Sequence, residues 1–226
     1  MLKYSLIALL LLTNFISYSQ TPDDNTNYWI DIDGKSVSKT QYLKQFGGRY
    51  SEFAAWNYIA KDSGRVTKTH YKFNLYTVDH SFFLNYINRT TNKKLPINTT
   101  LFIEFHYKDD LCSSNSSNKW SGSKIANRKY HTDTWKKSIE SKNENLVYLV
   151  FFEKGIEVQN SKSKREYYFS DQENLLRQKI FLNPTSCGSY MISKPDGITL
   201  VRNGESTAKT MAANLDPKKW DKQEFE

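Results

Sequence analysis

The strongest constraint on the fold is a pair of apolar segments separated by a helical segment. Leu101 to Tyr107 (LFIEFHY) is mostly apolar, with Glu104 and His106 on its less apolar face, and Leu146 to Phe152 (LVYLVFF) is apolar at every position. Such runs are typical of strands covered on both faces of a sheet. Two strands joined through a helix form a parallel pair, so the pattern predicts a mixed α/β sheet with flanking helices.

The segment between these strands is predicted to contain a basic helix from about residue 131 to 141. After the second strand, Ser170 and Glu173 form a capping-box pattern before another helix. A hairpin follows, with strands over 190–192 and 198–201 joined by a Pro-Asp-Gly turn. Thr207 to Leu215 is predicted to form the last helix, so the order is strand, helix, strand, helix, hairpin, helix.

The residues before this region show weaker patterns. Tyr28 to Ile32 alternates like a strand and ends at an Asp-Gly turn, which predicts a hairpin. Ser38 and Gln41 form a capping box before a short helix. The aromatic segment 47–73 is predicted to contain strands and loops, and a helix is predicted over 79–88.

The N-terminus has the pattern of a secretory signal peptide over residues 1–19. Lys3 provides the positive charge, Leu6 to Leu12 the apolar core, and Ser17 and Ser19 the small residues before a cleavage site. The alternative is a membrane anchor, but this apolar run is shorter than the roughly 20 residues that a spanning helix needs. We therefore expect an exported protein, periplasmic or extracellular, with no membrane span after cleavage.

The composition predicts one folded domain after that cleavage. Hydrophobic residues make up 38% of the chain and aromatic residues 15%, which excludes a disordered protein. The net charge is +8, and the densest basic segment suggests a surface for an anionic partner such as an acidic glycan or lipid headgroups. A solvated basic surface is the alternative, and export argues against nucleic acid. The basic residues of this surface are Lys119, Lys124, Arg128, Lys129, Lys136, Lys137 and Lys142.

Two cysteines and four histidines are the other candidate functional residues. Cys112 and Cys187 are the only cysteines, and in an oxidising compartment such a pair most often forms one disulfide. Neither belongs to a C-x-x-C motif, and the histidines show no zinc-binding spacing. Because phosphate-binding and dinucleotide-binding glycine motifs are also absent from the sequence, no metal or cofactor is predicted.

The order of elements from residue 101 to about 215 resembles the thioredoxin-like superfamily, in particular exported bacterial thiol-disulfide reductases and redoxin-like proteins. IDIDGKSVSKTQYLKQF (30–46) is similar to their N-terminal hairpin, and SYMISKPDGITLVRNGE (189–205) to their closing hairpin. The resemblance implies a thioredoxin-like mixed central sheet with flanking helices over 98–226, preceded by an N-terminal extension with the hairpin and helices over 20–97.

The active-site motif of that superfamily is degenerate in this chain. Members carry W-C-x-x-C after the first core strand, at a helix N-terminus that lowers the pKa of the thiol. Here the segment reads DDLCSSN (109–115), with Cys112 but with neither the Trp nor the second cysteine. Aligning the closing hairpin places Cys187 at the position of the superfamily's cis-proline. The resemblance therefore implies that Cys112 and Cys187 lie together.

Three states of this pair are possible: a structural disulfide, a redox-active pair with Cys112 as nucleophile and Cys187 as resolving partner, or two free thiols. Asp109 and Asp110 are expected to face water, and their charge would raise the pKa of a nearby thiol. The favoured function is that of a non-enzymatic exported protein that binds another envelope protein or an anionic ligand. The alternatives are a divergent thiol-disulfide oxidoreductase and an unrelated secreted α/β binding module.

Overall fold

The computed structural model describes residues 27–46, 51–61, 64–112, 118–216 and 220. The predicted signal peptide, residues 1–19, lies outside the described residues. Within them the protein is a mixed α/β structure with five α-helices and three β-sheets. No helix in these ranges is long and apolar enough to cross a membrane.

The main sheet has six strands and confirms the predicted mixed topology. In order across the sheet, its strands are β10 (Tyr168–Ser170), β8 (Leu146–Phe152), β6 (Thr100–His106), β11 (Ser189–Ser193), β12 (Ile198–Asn203) and β5 (Phe73–Thr77). The first three strands of this order are parallel and the other three are antiparallel to their neighbours.

A second sheet of four strands is formed by the N-terminal part of the described chain, in the order β2-β1-β4-β3. It contains the predicted hairpin of β1 (Asn27–Ile30) and β2 (Ser36–Val37), and the hairpin of β3 (Phe53–Ala60) and β4 (Gly64–Tyr71). Two short parallel strands, β7 (Lys119–Trp120) and β9 (Glu157–Val158), form the third sheet.

The hydrophobic core lies around β6 and β8, as their apolar sequences predict. Phe102, Phe105 and Phe151 are fully buried, and the ring of Phe105 stacks on Phe181 with the ring centres 4.3 Å apart. Burying an aromatic side chain of this kind stabilises the fold by about 2 to 3 kcal/mol. Because β6 and β8 are inner strands covered on both faces, a polar side chain buried there needs partners within the protein, as Glu104 of β6 has.

Four of the five described helices begin at side chains that cap them. Ser38 and Gln41 form the predicted capping box of α1 (Lys39–Phe46). Asp79 accepts the N–H of Phe82 at 3.0 Å at the start of α2 (His80–Thr91), which runs three residues past its predicted end at residue 88. Thr207 caps α5 (Ala208–Ala212), and a 3-10 turn over Ala213–Leu215 follows.

The helix between β7 and β8, α3, spans Gly122–Lys142, so the predicted start near residue 131 is wrong. Ser121 caps it by accepting the N–H of Lys124 at 3.3 Å. Its first half was missed because only Ile125 and Ile139 are buried along the whole helix, which leaves little apolar periodicity to detect.

The predicted capping box at Ser170 and Glu173 is also wrong. Ser170 is the last residue of β10, and the helix α4 begins later, at Leu175–Lys179. Asp171 satisfies its first turn instead, accepting the N–H of Leu175 at 2.9 Å. Glu173 is used elsewhere, in a surface ion pair.

The predicted division at residues 97 and 98 stays a prediction. β5 belongs to the segment assigned to the extension, yet it pairs with β12 at the edge of the main sheet. The N-terminal segment therefore contributes a strand to the sheet that contains the apolar strand pair.

Candidate functional site: the disulfide edge and the basic groove

Cys112 and Cys187 form a disulfide, which confirms that prediction, and the alternative of two free thiols is wrong. Their Cα atoms lie 5.0 Å apart across a sequence separation of 75 residues. The sheet topology brings them together: β6 and β11 are antiparallel neighbours, with Phe105 opposite Ser189. The loop that leaves β6 therefore meets the loop that enters β11 at the same end of these two strands.

Asp110 connects the backbone of the two cysteines. Its Oδ1 accepts the N–H of Cys112 at 2.8 Å and its Oδ2 accepts the N–H of Cys187 at 2.9 Å. The residue is only 7% exposed, so the expectation that it faces water is wrong, whereas the neighbouring side chain of Asp109 is 64% exposed. Burial raises the pKa of Asp110 above its usual range, and the two backbone hydrogen bonds oppose that rise.

The segment around Cys187 is tightly constrained. Cys187 has a positive φ of 70°, which few residues other than glycine adopt. At Gly188, with φ of 80°, a Cβ atom would lie 2.6 Å from the carbonyl oxygen of Phe105, so a larger residue does not fit. The N–H of Ser186 donates to the carbonyl of Ala55 at 2.8 Å, which ties this loop to β3 of the second sheet.

The redox alternative places Cys112 at a helix N-terminus, and this part of it stays a prediction because residues 113–117, directly after Cys112, lie outside the described residues. The next helix in the described part of the chain, α3, begins at Gly122, after β7. In that alternative, the positive end of the helix dipole would stabilise a thiolate at Cys112. The ionisable group bound to both cysteine amides is the Asp110 carboxyl, whose negative charge acts in the opposite direction.

A groove of about 630 Å³ lies beside the loop 108–111, which leads to Cys112. Asp110 and Ile59 form part of its wall, and Ile59 is 62% exposed. Cys112 is itself an exposed residue, so this edge of the sheet is open to solvent. The groove is lined by Trp56, Tyr58, Ile59, Lys108, Asp109, Asp110, Leu111 and Asn118.

Beneath α3 lies a buried ionic cluster centred on Glu104. Its carboxylate accepts Arg128 at 2.6 Å and the hydroxyl of Tyr148 at 2.5 Å. His106 Nε2 lies 2.9 Å from the same carboxylate, although its N–H is poorly aligned for a hydrogen bond. Burial opposes the ionisation of Glu104, but the approach of His106 and the charge of Arg128 outweigh it, so the pKa of Glu104 is well below its usual range.

The structure places the seven predicted anion-binding residues on β7 and α3, but many of them are already engaged. Arg128 binds Glu104, Lys129 binds Glu166 at 2.6 Å and Lys136 binds Glu140. Lys119 lies 3.6 Å from Glu157, and Lys124 lies over the ring of Trp120 at 4.5 Å. Lys137 and Lys142 are exposed and form no ion pair within the described ranges.

Three of the seven, Lys129, Lys136 and Lys137, line a second groove, which we call the basic groove. It lies between α3 and the loop 161–165 and has a volume of about 660 Å³. Arg165 completes its basic lining, and the sequence patterns gave no reason to include it because the loop lies far from α3 along the chain. In the described part of the chain, no cluster of three or more His, Cys, Asp or Glu residues could hold a metal ion.

Comparison with known proteins supplies no family for this chain. No protein-family model matches it, and no curated protein matches it either.

Proposed function

We propose that this chain is an exported, thioredoxin-like protein that acts by binding a partner and uses its Cys112–Cys187 disulfide as a structural bond. The likeness to the thioredoxin-like superfamily is supported by the order of its elements and by the position of the cysteine pair. β6, α3 and β8 form the strand-helix-strand unit, and β11 and β12 form the closing hairpin. The partner is another envelope protein or an anionic ligand.

The observation that carries this proposal is the role of Asp110. A buried carboxyl that accepts the amides of both cysteines fixes the backbone on each side of the bond. It also disfavours a thiolate, which is the species that attacks in thiol–disulfide exchange. A bond that closes a loop of this length stabilises a protein by about 4 kcal/mol on the loop-entropy model.

A divergent thiol-disulfide oxidoreductase is the second candidate, and one observation favours it. Cys112 is exposed, so a partner thiol could approach the bond, and the groove of about 630 Å³ beside the preceding loop could hold the rest of that partner. In that case Cys112 would form the mixed disulfide with the incoming thiol and Cys187 would leave as the thiolate, taking up a proton. The negative environment of Asp110 argues against this chemistry.

The reduction potential of the disulfide in the mature protein separates the two functions. A structural bond is expected below about −300 mV, whereas exchange chemistry requires roughly −120 to −270 mV. Equilibration with defined dithiothreitol ratios, followed by thiol alkylation and mass spectrometry, measures this potential. A value in the upper range, together with turnover of a disulfide-bonded peptide, would overturn the binding proposal in favour of the oxidoreductase.

A further inference from the structure

We propose that the basic groove between α3 and the loop 161–165 binds an acidic oligosaccharide, with Lys137 and Arg165 contacting its carboxylate or sulfate groups. This inference deepens the proposed binding function and rests on it. The groove is lined by Lys129, Asp133, Lys136, Lys137, Glu140, Ser141, Ser161, Ser163, Arg165, Glu166 and Tyr167.

The carboxylates of the groove already have donors within the protein. Glu166, whose side chain is 3% exposed, accepts the ammonium of Lys129 and the backbone N–H groups of Ser161, Tyr167 and Tyr168 at 2.6 to 3.0 Å. These donors outweigh the effect of burial and lower the pKa of Glu166 to about 2. The carboxylate is therefore ionised, and both of its oxygens already accept hydrogen bonds.

Glu140 also accepts internal donors, and Asp133, an exposed residue, accepts one. Glu140 binds Lys136 and the N–H of Tyr148, and Asp133 accepts the hydroxyl of Tyr167 at 2.5 Å. The three carboxylates of the groove therefore satisfy internal donors, whereas Lys137 and Arg165 form no ion pair with any described residue.

The charge around the groove adds to this excess. The ammonium of Lys93 lies near that of Lys136, and Lys162 and Lys164 are exposed on the same loop as Arg165. Cations without internal partners, beside carboxylates that are already bound, are complementary to an incoming anion.

The loop that carries Arg165 is held in place before any ligand binds. The N–H of Arg165 donates to Ser163 Oγ at 3.1 Å, and the N–H of Ser163 donates to Ser161 Oγ at 3.2 Å. Since these serine oxygens act as acceptors, their hydroxyl hydrogens can donate to a ligand. A loop that is already ordered loses little entropy on binding.

The size and lining of the groove favour a sugar over the other anions. Its volume of about 660 Å³ falls in the usual range for small-molecule sites and is larger than a single sulfate requires. Tyr167, which is only 4% exposed, is the one aromatic residue among the described lining residues, so the groove has no row of exposed rings on which nucleic-acid bases could stack. Serine hydroxyls beside cations match the hydroxyl and anionic groups of an acidic glycan.

Calorimetric titration of the oxidised protein with defined probes tests the site. The acidic probes are a sulfated heparin tetrasaccharide and a galacturonic acid trisaccharide, and neutral maltotriose is the control. The variant Lys137→Gln/Arg165→Gln is expected to bind the preferred acidic probe at least about tenfold more weakly, from the loss of two charge-assisted contacts. The matched control Lys39→Gln/Lys44→Gln removes two exposed charges from α1 and should change affinity less than about twofold.

Equal losses in both double variants would show non-specific charge attraction and overturn the site, as would binding of neither acidic probe or equal binding of maltotriose. Tighter binding to anionic lipid vesicles or single-stranded DNA, unaffected by the groove variant, would also overturn it. If the glycan does not bind but the reduction potential lies below about −300 mV, this site fails while the non-enzymatic function stands. If the glycan binds but the reduction potential lies in the exchange range, this site stands while the non-enzymatic function fails.

Discussion

Asp110 and Cys187 are 77 positions apart in sequence, yet the Asp110 carboxylate accepts the Cys187 backbone N–H at 2.9 Å. The second oxygen of the same carboxylate accepts the N–H of Cys112. The covalent bond between the cysteines thus runs parallel to a non-covalent connection between the same two loops. Asp110 is consequently as much a part of this site as the cysteines themselves.

Replacing Asp110 tests the strength of that connection. Asp110→Asn keeps the shape but leaves one of the two amides without an oxygen acceptor, which should lower the free energy of unfolding by about 1 to 3 kcal/mol. Urea denaturation of the oxidised protein measures this change. Asp109→Asn, in the exposed neighbour, is the control and should cost less than about 1 kcal/mol. Equal effects would mean that the two amides do not depend on Asp110.

Gly188 should tolerate no side chain. In Gly188→Ala the new Cβ would meet the Phe105 carbonyl in a backbone conformation that alanine disfavours, so we expect a loss of at least about 2 kcal/mol in unfolding free energy. Gly34→Ala is a matched control, because Gly34 has the same φ of 80° but no atom within 4 Å of the added Cβ. It should cost only about 1 kcal/mol. Thermal unfolding of the two variants compares a steric clash with backbone strain alone.

The cluster of Glu104 and Arg128 should behave as a buried ion pair. Arg128→Met leaves the Glu104 carboxylate buried without its guanidinium partner, and adding Glu104→Gln should recover part of the loss. We expect a cost of about 2 kcal/mol, less than for a fully buried pair because the Arg128 side chain is 41% exposed. Arg89→Met breaks a comparable Arg–Glu contact to Glu173 at 2.8 Å on the surface and should cost less than about 1 kcal/mol. A double variant that is as unstable as the sum of its single changes would contradict the pairing.

His70 should make stability depend on pH. Burial, followed by the charges of Lys68 and Arg177, lowers the pKa of His70 from 6.5 to about 4, so the folded state favours the neutral ring. The stabilisation is complete above pH 6.5 and is lost as the pH falls towards 4, by at most about 3 kcal/mol.

Urea midpoints measured between pH 7.5 and pH 4.5 test this dependence. His70→Gln should flatten the slope, whereas His131→Gln, in an exposed histidine, should leave it unchanged. An unchanged slope in His70→Gln would assign the pH dependence to another group.

The sequence predicted elements best where the local signal and the tertiary environment agreed. Ser38 with Gln41 and the pattern of Ser170 with Glu173 are the same motif, yet only the first caps a helix. At the second, Ser170 continues a strand of the main sheet, and pairing with β8 outweighs the local preference. The first half of α3 was missed for a related reason: only Ile125 of this half is buried, and Arg128 and Lys129 connect it to other elements through ion pairs that leave no apolar pattern.

The candidate site was predicted only in part. The cysteine pair followed from the family resemblance, and Lys129, Lys136 and Lys137 followed from charge density, but Asp110 and Arg165 were missed. An Asp two residues before Cys112 can accept its N–H locally, which is a signal that the sequence does contain. Its second contact, with Cys187, depends on how β6 and β11 pair and leaves no local pattern.

By itself, the sequence determined the mixed sheet, because uninterrupted apolar runs around a helix have few stable arrangements in water. It also determined that two lone cysteines were available for one bond. Only the tertiary structure decided which charges are paired: Arg128 and Lys129 bind carboxylates on other elements, whereas Lys137 and Arg165 form no ion pair among the described residues. Hydrophobic periodicity acts along the chain, but ion pairing acts through space, so its outcome is fixed only when distant segments meet.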